Sequence, residues 1–266
     1  MIGIYKKPND EKSEKVFKNL KEEFEKQSLE YKEVDKNFDE KLSLLVVVGG
    51  DGTVLSVASR ASEYSVPVLA INAGHVGFLS AFEASDIGEC VRYIKTEKPE
   101  YEKRSMLKAE YDGKIGYALN EISVQRENTK GGYGCALEVT LKIDDELCDS
   151  FRGDGIIIAS PTGSTAYSLS AGGAVLSPEL NAFIATPVCS HSLTSKPVVF
   201  SDERNANISL SQKASGSIYC DGKFFCTAEC KNVLTVTKSS KYFLLVKRRS
   251  GFFKTLHAKL SGQLNG

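Results

Sequence analysis

The sequence predicts two domains of different class: an α/β N-terminal domain on an open, mainly parallel sheet, and an all-β, sandwich-like C-terminal domain. Three observations predict them. Residues 1–98 alternate short apolar strands with segments of helical period, the pattern of a parallel sheet covered by helices. Residues 99–245 carry many short β-rich runs at close spacing with turn residues between them. Residues 246–266 return to a helical period through Phe252, Leu256 and Leu260, and are expected to pack back on the N-terminal domain.

In order along the chain, "IGIY" reads as a first short strand. Residues 10–27 read as a helix with Phe17, Leu20 and Phe24 on one face. "LEYKEV" is a weak second strand. "LSLLVVV" is an unbroken, β-branched run, the mark of a strand buried on both faces. Residues 53–64 read as a helix, "VPVLAIN" as the next buried strand, and "EASDIGECVRYIKTEK" as a closing helix. Beyond Pro99, "MLKAEY" and "KIGYALNEISVQ" flank Asp112-Gly113, a hairpin signal. "CALEVTLKI", "GIIIAS", "AFIATPVC", "PVVFS", "NISLS", "SIYCDGKFF" and "VLTVT" follow as strands.

The 266 residues allow one large domain or two modest ones sharing a cleft. Lysine plus arginine equals aspartate plus glutamate at 34 each, so no general attraction to nucleic acid or to an anionic membrane is expected. No apolar run approaches the roughly 20 residues of a membrane helix. "MIGIYKKPNDEK" lacks the layout of a secretory signal, and a cytoplasmic location is expected. The seven cysteines read as free thiols. Cys226-x-x-x-Cys230, with Cys220 nearby, invites a zinc reading, but there is no second pair and no neighbouring histidine, and no metal-ligating set is assigned.

The chemistry concentrates first in "LLVVVGGDGT", residues 44–53. Gly49, Gly50 and Gly52 permit a close ligand approach, and a helix start near Thr53 favours an anion. The spacing is neither G-x-x-x-x-G-K-[ST] nor G-x-G-x-x-G. Asp51 stands in the middle of this phosphate-ready turn. It can hold a divalent metal, accept a proton from a hydroxyl that attacks phosphate, or cap the helix. A second cluster, "RGDGIIIASPTGSTAYSLSAGGAVLSP" at residues 152–178, is rich in hydroxyls and turn formers. It suits adenine, ribose or phosphate contacts, and Tyr167 offers a ring face. It also reads as a Ser/Thr-rich surface turn with a core tyrosine. Asn120-Glu121 can read an adenine edge or a ribose diol, or can simply form a turn. Arg152 and Asp154 flank Gly153 and can form a surface ion pair. Lys223 can reach a phosphate or remain a solvated strand-end lysine.

The GGDGT motif alone resembles several nucleotide-dependent kinases: diacylglycerol and sphingosine kinases, NAD kinases and, more distantly, phosphofructokinases. Joined to residues 152–178, Asn120-Glu121 and "FIATPVCSHSLTSKPVVF", it closely resembles the ATP-NAD kinase family over most of the chain. That resemblance implies an α/β domain followed by a β-sandwich, with the C-terminal helix returning to the first. It implies a kinase making NADP from NAD, with ATP, another nucleoside triphosphate or polyphosphate as donor and a divalent cation, Mg2+, carried on the triphosphate. Asp51 would accept the proton of the adenosine ribose 2′-hydroxyl. Gly49, Gly50 and Thr53 would lie near the donor phosphates, with Gly52 against the ligand and Phe78 lining the adenosine pocket. Asn120 and Glu121 would hold the adenosine. Thr162, Thr165, Ala166, Tyr167, Ser168, Leu169 and Ser170 would form the dinucleotide wall, with Arg152 and Lys223 as further contacts. Asp154 would reach the nicotinamide end of a dinucleotide bound mainly by a neighbouring subunit, so a homodimer or homotetramer is implied. The chain departs from the family pattern at His75, Ser190, Lys196 and Lys223. His191 reads as structural or interface-facing, and His257 as a surface helix residue. A lipid or sugar kinase would share the first motif and leave the second unexplained. A non-catalytic dinucleotide sensor would leave Asp51 unexplained.

Overall fold

The computed structural model describes residues 1–38, 41–74, 77–97, 99–127, 136–211, 215–248 and 251–262; His75 and Cys135 lie outside these. The chain forms two compact units, Met1–Arg104 with Lys241–Gly266, and Ser105–Ser240.

The first unit begins with β1 (Ile2–Lys6), α1 (Glu11–Lys26), β2 (Tyr31–Glu33), β3 (Leu44–Val48), α2 (Asp51–Glu63), β4 (Val68–Asn72), β5 (Phe82–Glu83) and α3 (Ile87–Thr96). Its strands run in the order β2-β1-β3-β4-β5, every pair parallel. All five residues of β3 and of β4 are buried, as the unbroken apolar runs predict. Alternation along β3 sends Leu44, Val46 and Val48 towards α1 and α3. Leu45 and Val47 face the opposite side, and α2 covers β3 there. Helix α1 starts at Asp10, whose carboxylate accepts the Ser13 N–H at 2.9 Å, and it buries Phe17, Leu20 and Phe24.

In this order the chain leaves β1 for β2 on one side and continues with β3 on the other. The crevice beyond the carboxyl ends of β1 and β3 is therefore the topological switch point, where open α/β sheets bind ligands. The chain ends part there: Lys7 N–H donates to Val48 O, while Gly49 N–H turns to Ile71 O of β4.

Among its described residues the second unit is all-β apart from a 3-10 turn at Gly163–Thr165 and one turn of α-helix. It contains most of β6 (Tyr101–Tyr111), then β7 (Lys114–Ala118), β8 (Glu121–Arg126), β9 (Leu137–Ile143), β10 (Glu146–Gly153), β11 (Gly155–Ala159), α4 (Tyr167–Ser170), β12 (Ala182–Val188), β13 (Val198–Ser201), β14 (Ala206–Leu210), β15 (Gly216–Cys220), β16 (Lys223–Ala228) and most of β17 (Leu234–Val246). One antiparallel sheet has the order β13-β12-β11-β8-β15-β16, and β10-β9-β14-β17 pair in another. Ile122, Val124, Ile156, Ile158 and Ile218 from the first meet Val139, Leu141, Ile208 and Val236 from the second in one core, the stacked sheets expected from the sequence. Asp112-Gly113 makes a tight hairpin with φ of 50° and 72°. The stretch "SIYCDGKFF", read as one strand, is two. Asp221 and Gly222, at φ 48° and 72°, turn β15 back into β16.

Helix α5 (Phe252–Gly262) closes the chain within the first unit. Its inward face differs from the expected one. Thr255 is buried and Phe252, Leu256 and Lys259 are half-buried, whereas Leu260 is exposed. The face follows 252, 255, 256 and 259, which brings a lysine inward in place of a leucine.

Candidate active site

One candidate region lies in the first unit. Gly50 caps α2 without a side-chain bond, and Asp51 is the first helical residue, two residues earlier in the motif than Thr53. The capping reading of Asp51 is thereby corrected. Its carboxylate turns back to accept Phe78 N–H on Oδ2 at 2.8 Å and Leu79 N–H on Oδ1 at 3.1 Å. Charge-assisted bonds of this kind fix the carboxylate while leaving lone pairs for another donor. The side chain keeps 29% of its surface exposed, so a hydroxyl can reach it. Gly77 makes the arrangement possible, because a Cβ there would overlap Asp51 Oδ1. Arg248 donates to Gly77 O at 2.8 Å and steadies the turn from behind. Burial makes the Arg248 cation less favourable than usual. Lys259 Nζ sits 3.8 Å from Asp51 Oδ2 and 4.4 Å from the centre of the Phe78 ring. Phe252 packs on Phe78, centroids 5.9 Å apart.

Beside the loop, at the switch point, is a cavity of about 530 Å3. Gly50, Gly52 and Thr53 line it together with Tyr5, Lys7 and Lys36. A Cβ on Gly50 or Gly52 would meet nothing within 4 Å, so both face open space. Gly49 is different: a Cβ there would crowd the Thr53 side chain, so its smallness serves the fold. Near the loop the start of α2 favours an anion, although Thr53 N–H already donates to Gly50 O at 2.9 Å. Tyr5, Lys7 and Lys36 were not singled out in the sequence. They carry no motif, and only the strand order brings them to Gly50.

Another candidate region lies in the second unit. Asp221, in the tight turn after β15, accepts N–H groups from Leu119 at 2.8 Å, Asn120 at 2.7 Å and Glu121 at 3.2 Å. From the other side Ser160 Oγ donates to Leu119 O at 2.5 Å, and Ser160 N–H donates to Asn120 O at 2.9 Å. Gly163 lies so close that a Cβ would overlap Asn120 O. The turn holding Asn120 and Glu121 is thus clamped between β15–β16 and the 160–163 turn. Asp221 is a positioning residue that the sequence reading missed, although its Asp-Gly pair carried the hairpin signal.

Glu121 is 8% exposed and its Oε2 has no hydrogen-bond partner. Burial, reinforced by the Asp221 carboxylate, pushes its pKa from 4.5 up to about 7. A raised carboxyl pKa stabilises the fold below pH 4.5, and that contribution is lost as pH rises through 7. The full shift corresponds to about 3 kcal/mol. Glu121→Gln is therefore expected to melt higher than the parent at pH 8 without ligand, with the advantage shrinking to nothing by pH 5. Equal melting at pH 8 would contradict the buried, unpartnered acid.

The hydroxyl-rich segment divides by direction. Ser160, Ser164 and Ser168 point inward and are fully buried. Ser168 Oγ is bonded to Thr186 Oγ1 at 2.9 Å, and this removes Ser168 from the ligand-facing wall. Thr162 is nearly buried; Thr165, Ala166, Tyr167 and Leu169 are half-buried and Ser170 is exposed. Tyr167 and Ser170 line a cavity of about 650 Å3 with Arg126, Asp154 and Cys189. Burial raises the Tyr167 phenol above its usual pKa. Asp154 pairs with Arg126 at 3.1 Å, and Arg152 pairs with Glu138 at 3.5 Å. The expected Arg152–Asp154 pair is corrected: Arg152 belongs to a separate cavity with Glu138 and His191. Gly153 is required by packing, since a Cβ would lie 2.8 Å from Val188 O. Lys223 is exposed at the start of β16. Among the described residues no three His, Cys, Asp or Glu side chains gather as a metal site, and burial pushes the Cys220 thiol up to about 12.

Comparison with known proteins identifies the family. A family model described as the ATP-NAD kinase N-terminal domain matches residues 3–98, and one described as the ATP-NAD kinase C-terminal domain matches residues 119–248. The chain is 33% identical to an NAD kinase of Caldicellulosiruptor saccharolyticus over 98% of this chain and 99% of that protein. It is 38% identical to an NAD kinase of Prosthecochloris aestuarii over 88% and 80%. The structure of an Archaeoglobus fulgidus NAD kinase in complex with ATP superposes with a TM-score of 0.78 at 26% identity, covering 98% of this chain and 99% of that one. Yeast NADH kinase complexed with NADH shares the fold, with a TM-score of 0.85 at 21% identity over 98% and 87%. With its two signature segments folded as described and its full length matched, the chain belongs to the ATP-NAD kinase family.

Proposed function

We propose that this chain is an NAD kinase, transferring the terminal phosphoryl group of ATP to the adenosine ribose 2′-hydroxyl of NAD to give NADP. The observation that carries this reading is the Asp51 carboxylate, held by two backbone amides yet open to a hydroxyl, at a glycine loop beside a cavity. Asp51 accepts the hydroxyl proton as the oxygen attacks phosphorus, and the bond to the leaving diphosphate breaks with its electron pair. Gly49, Gly50, Gly52 and Thr53 with Lys7 and Lys36 receive the donor phosphates. Asn120, Glu121, Thr162, Thr165, Ala166, Tyr167 and Ser170 hold the dinucleotide, and a hydroxyl or amino donor there would restore the Glu121 anion.

A divalent cation carried on the nucleotide would supply charge neutralisation on the donor phosphates. The donor set fits that role, since Asp51 retains lone pairs and, among the described residues, no three His, Cys, Asp or Glu side chains form a cage. ATP as donor is supported by the ATP-bound relative; another triphosphate or polyphosphate uses the same loop. Self-association, with Asp154 reaching a neighbour's dinucleotide, and a cytoplasmic location belong to the same proposal. No helix among the described residues is long and apolar enough to cross a membrane.

The test is NADP formation by purified protein with NAD, ATP and magnesium, read through an NADP-specific dehydrogenase. Steady production is expected. Tight NAD binding without product from ATP or polyphosphate would instead favour a dinucleotide sensor.

A further inference from the structure

Helix α5 presents a cation to Asp51 that no motif marks. Lys259 Nζ is 3.8 Å from Asp51 Oδ2, an ion pair too long to be a hydrogen bond. The three donors of the ammonium are therefore not consumed by the carboxylate. The same nitrogen lies over the Phe78 ring at 4.4 Å. The helix is seated by Phe252 on Phe78 and by buried Thr255. It turns Lys259 inward while Leu260 and Phe253 stay exposed. A stray surface pair would be worth little and would not require that choice of face.

A hydroxyl bonded to Asp51 sits roughly 2.6–3.2 Å from the carboxylate. The phosphorus it attacks is about 3–3.5 Å further on. The non-bridging oxygens of that group then fall within the sweep of the flexible four-carbon arm of Lys259. We propose that Lys259 is a second catalytic residue, whose ammonium passes from Asp51 to the phosphoryl group in transit and balances its charge. This rests on the NAD kinase reading. As the oxygen–phosphorus bond forms, the hydroxyl proton moves to Asp51 and the leaving diphosphate departs with the electron pair; Lys259 keeps its protons. Neutralising Asp51 also releases the ammonium as charge builds on the phosphoryl oxygens. Arg248 donates from one nitrogen to Gly77 O, and substituting Lys259 alone reads its contribution apart from that of Arg248.

The experiment compares NADP formation by the parent, Lys259→Met and Lys259→Arg at saturating ATP and varied NAD. Methionine keeps the stem over Phe78 and removes the charge. Its kcat is expected to fall about 10²-fold, the scale of losing one preorganised charge-stabilising donor. KM for NAD and the melting temperature should hardly move, and arginine should recover at least about tenfold of the loss. A methionine variant as fast as the parent would overturn the proposal, and so would an arginine variant as slow as methionine. Should methionine prevent folding, Lys259→Gln is read by the same criteria. A parent that makes no NADP defeats the kinase reading itself, before any variant is compared.

Discussion

Asp51→Asn is expected to lower NADP formation by about 10²–10⁴-fold while leaving NAD affinity within a few-fold. The expectation follows from geometry. Both carboxylate oxygens already accept backbone N–H groups, and their open lone pairs can still accept a proton from a hydroxyl. Asparagine keeps the shape and removes the basicity. It also turns an NH2 against one of the two N–H donors, so about 1–3 kcal/mol of stability should go with it. Steady-state rates, NAD titration by calorimetry and a melting curve separate the three effects. Turnover equal to the parent would sink the role of Asp51.

Gly77→Ala should cost nearly as much by a different route. The added methyl overlaps Asp51 Oδ1 and would lie 2.9 Å from its Cγ, so the carboxylate must swing off the Phe78 and Leu79 amides. Loss of two charge-assisted bonds predicts roughly 2–4 kcal/mol of destabilisation and a fall in turnover of at least about a hundredfold. Gly52→Ala is the control. A Cβ there meets nothing within 4 Å, and alanine is the better helix former by up to about 1 kcal/mol. It should melt no lower than the parent yet turn over more slowly, because the methyl stands where a phosphate must come. Full activity in Gly52→Ala would mean that the donor lies elsewhere.

The strands of the first unit were legible because a parallel strand covered on both faces has to be apolar throughout, as β3 and β4 are. The glycine loop was legible for the same local reason. The partners of Asp51 were not. Phe78 and Leu79 act through main-chain N–H groups, which leave no trace in residue type. Lys259 is one of 34 basic residues, and only the rotation of α5 distinguishes it. Hydroxyl content around residue 164 marks an unusual segment in the sequence. It could not reveal that Ser168 faces Thr186 while Ser170 faces solvent, since direction is set by packing. The second Asp-Gly turn was hidden by apolar residues on both sides, which made β15 and β16 look continuous.

The first unit is built from the two ends of the chain, with Arg248 and Lys259 supplied by its later part. A ribosome therefore finishes all of the second unit before it delivers the residues that brace and face Asp51. A nascent chain stalled anywhere in between would carry the glycine loop without its support.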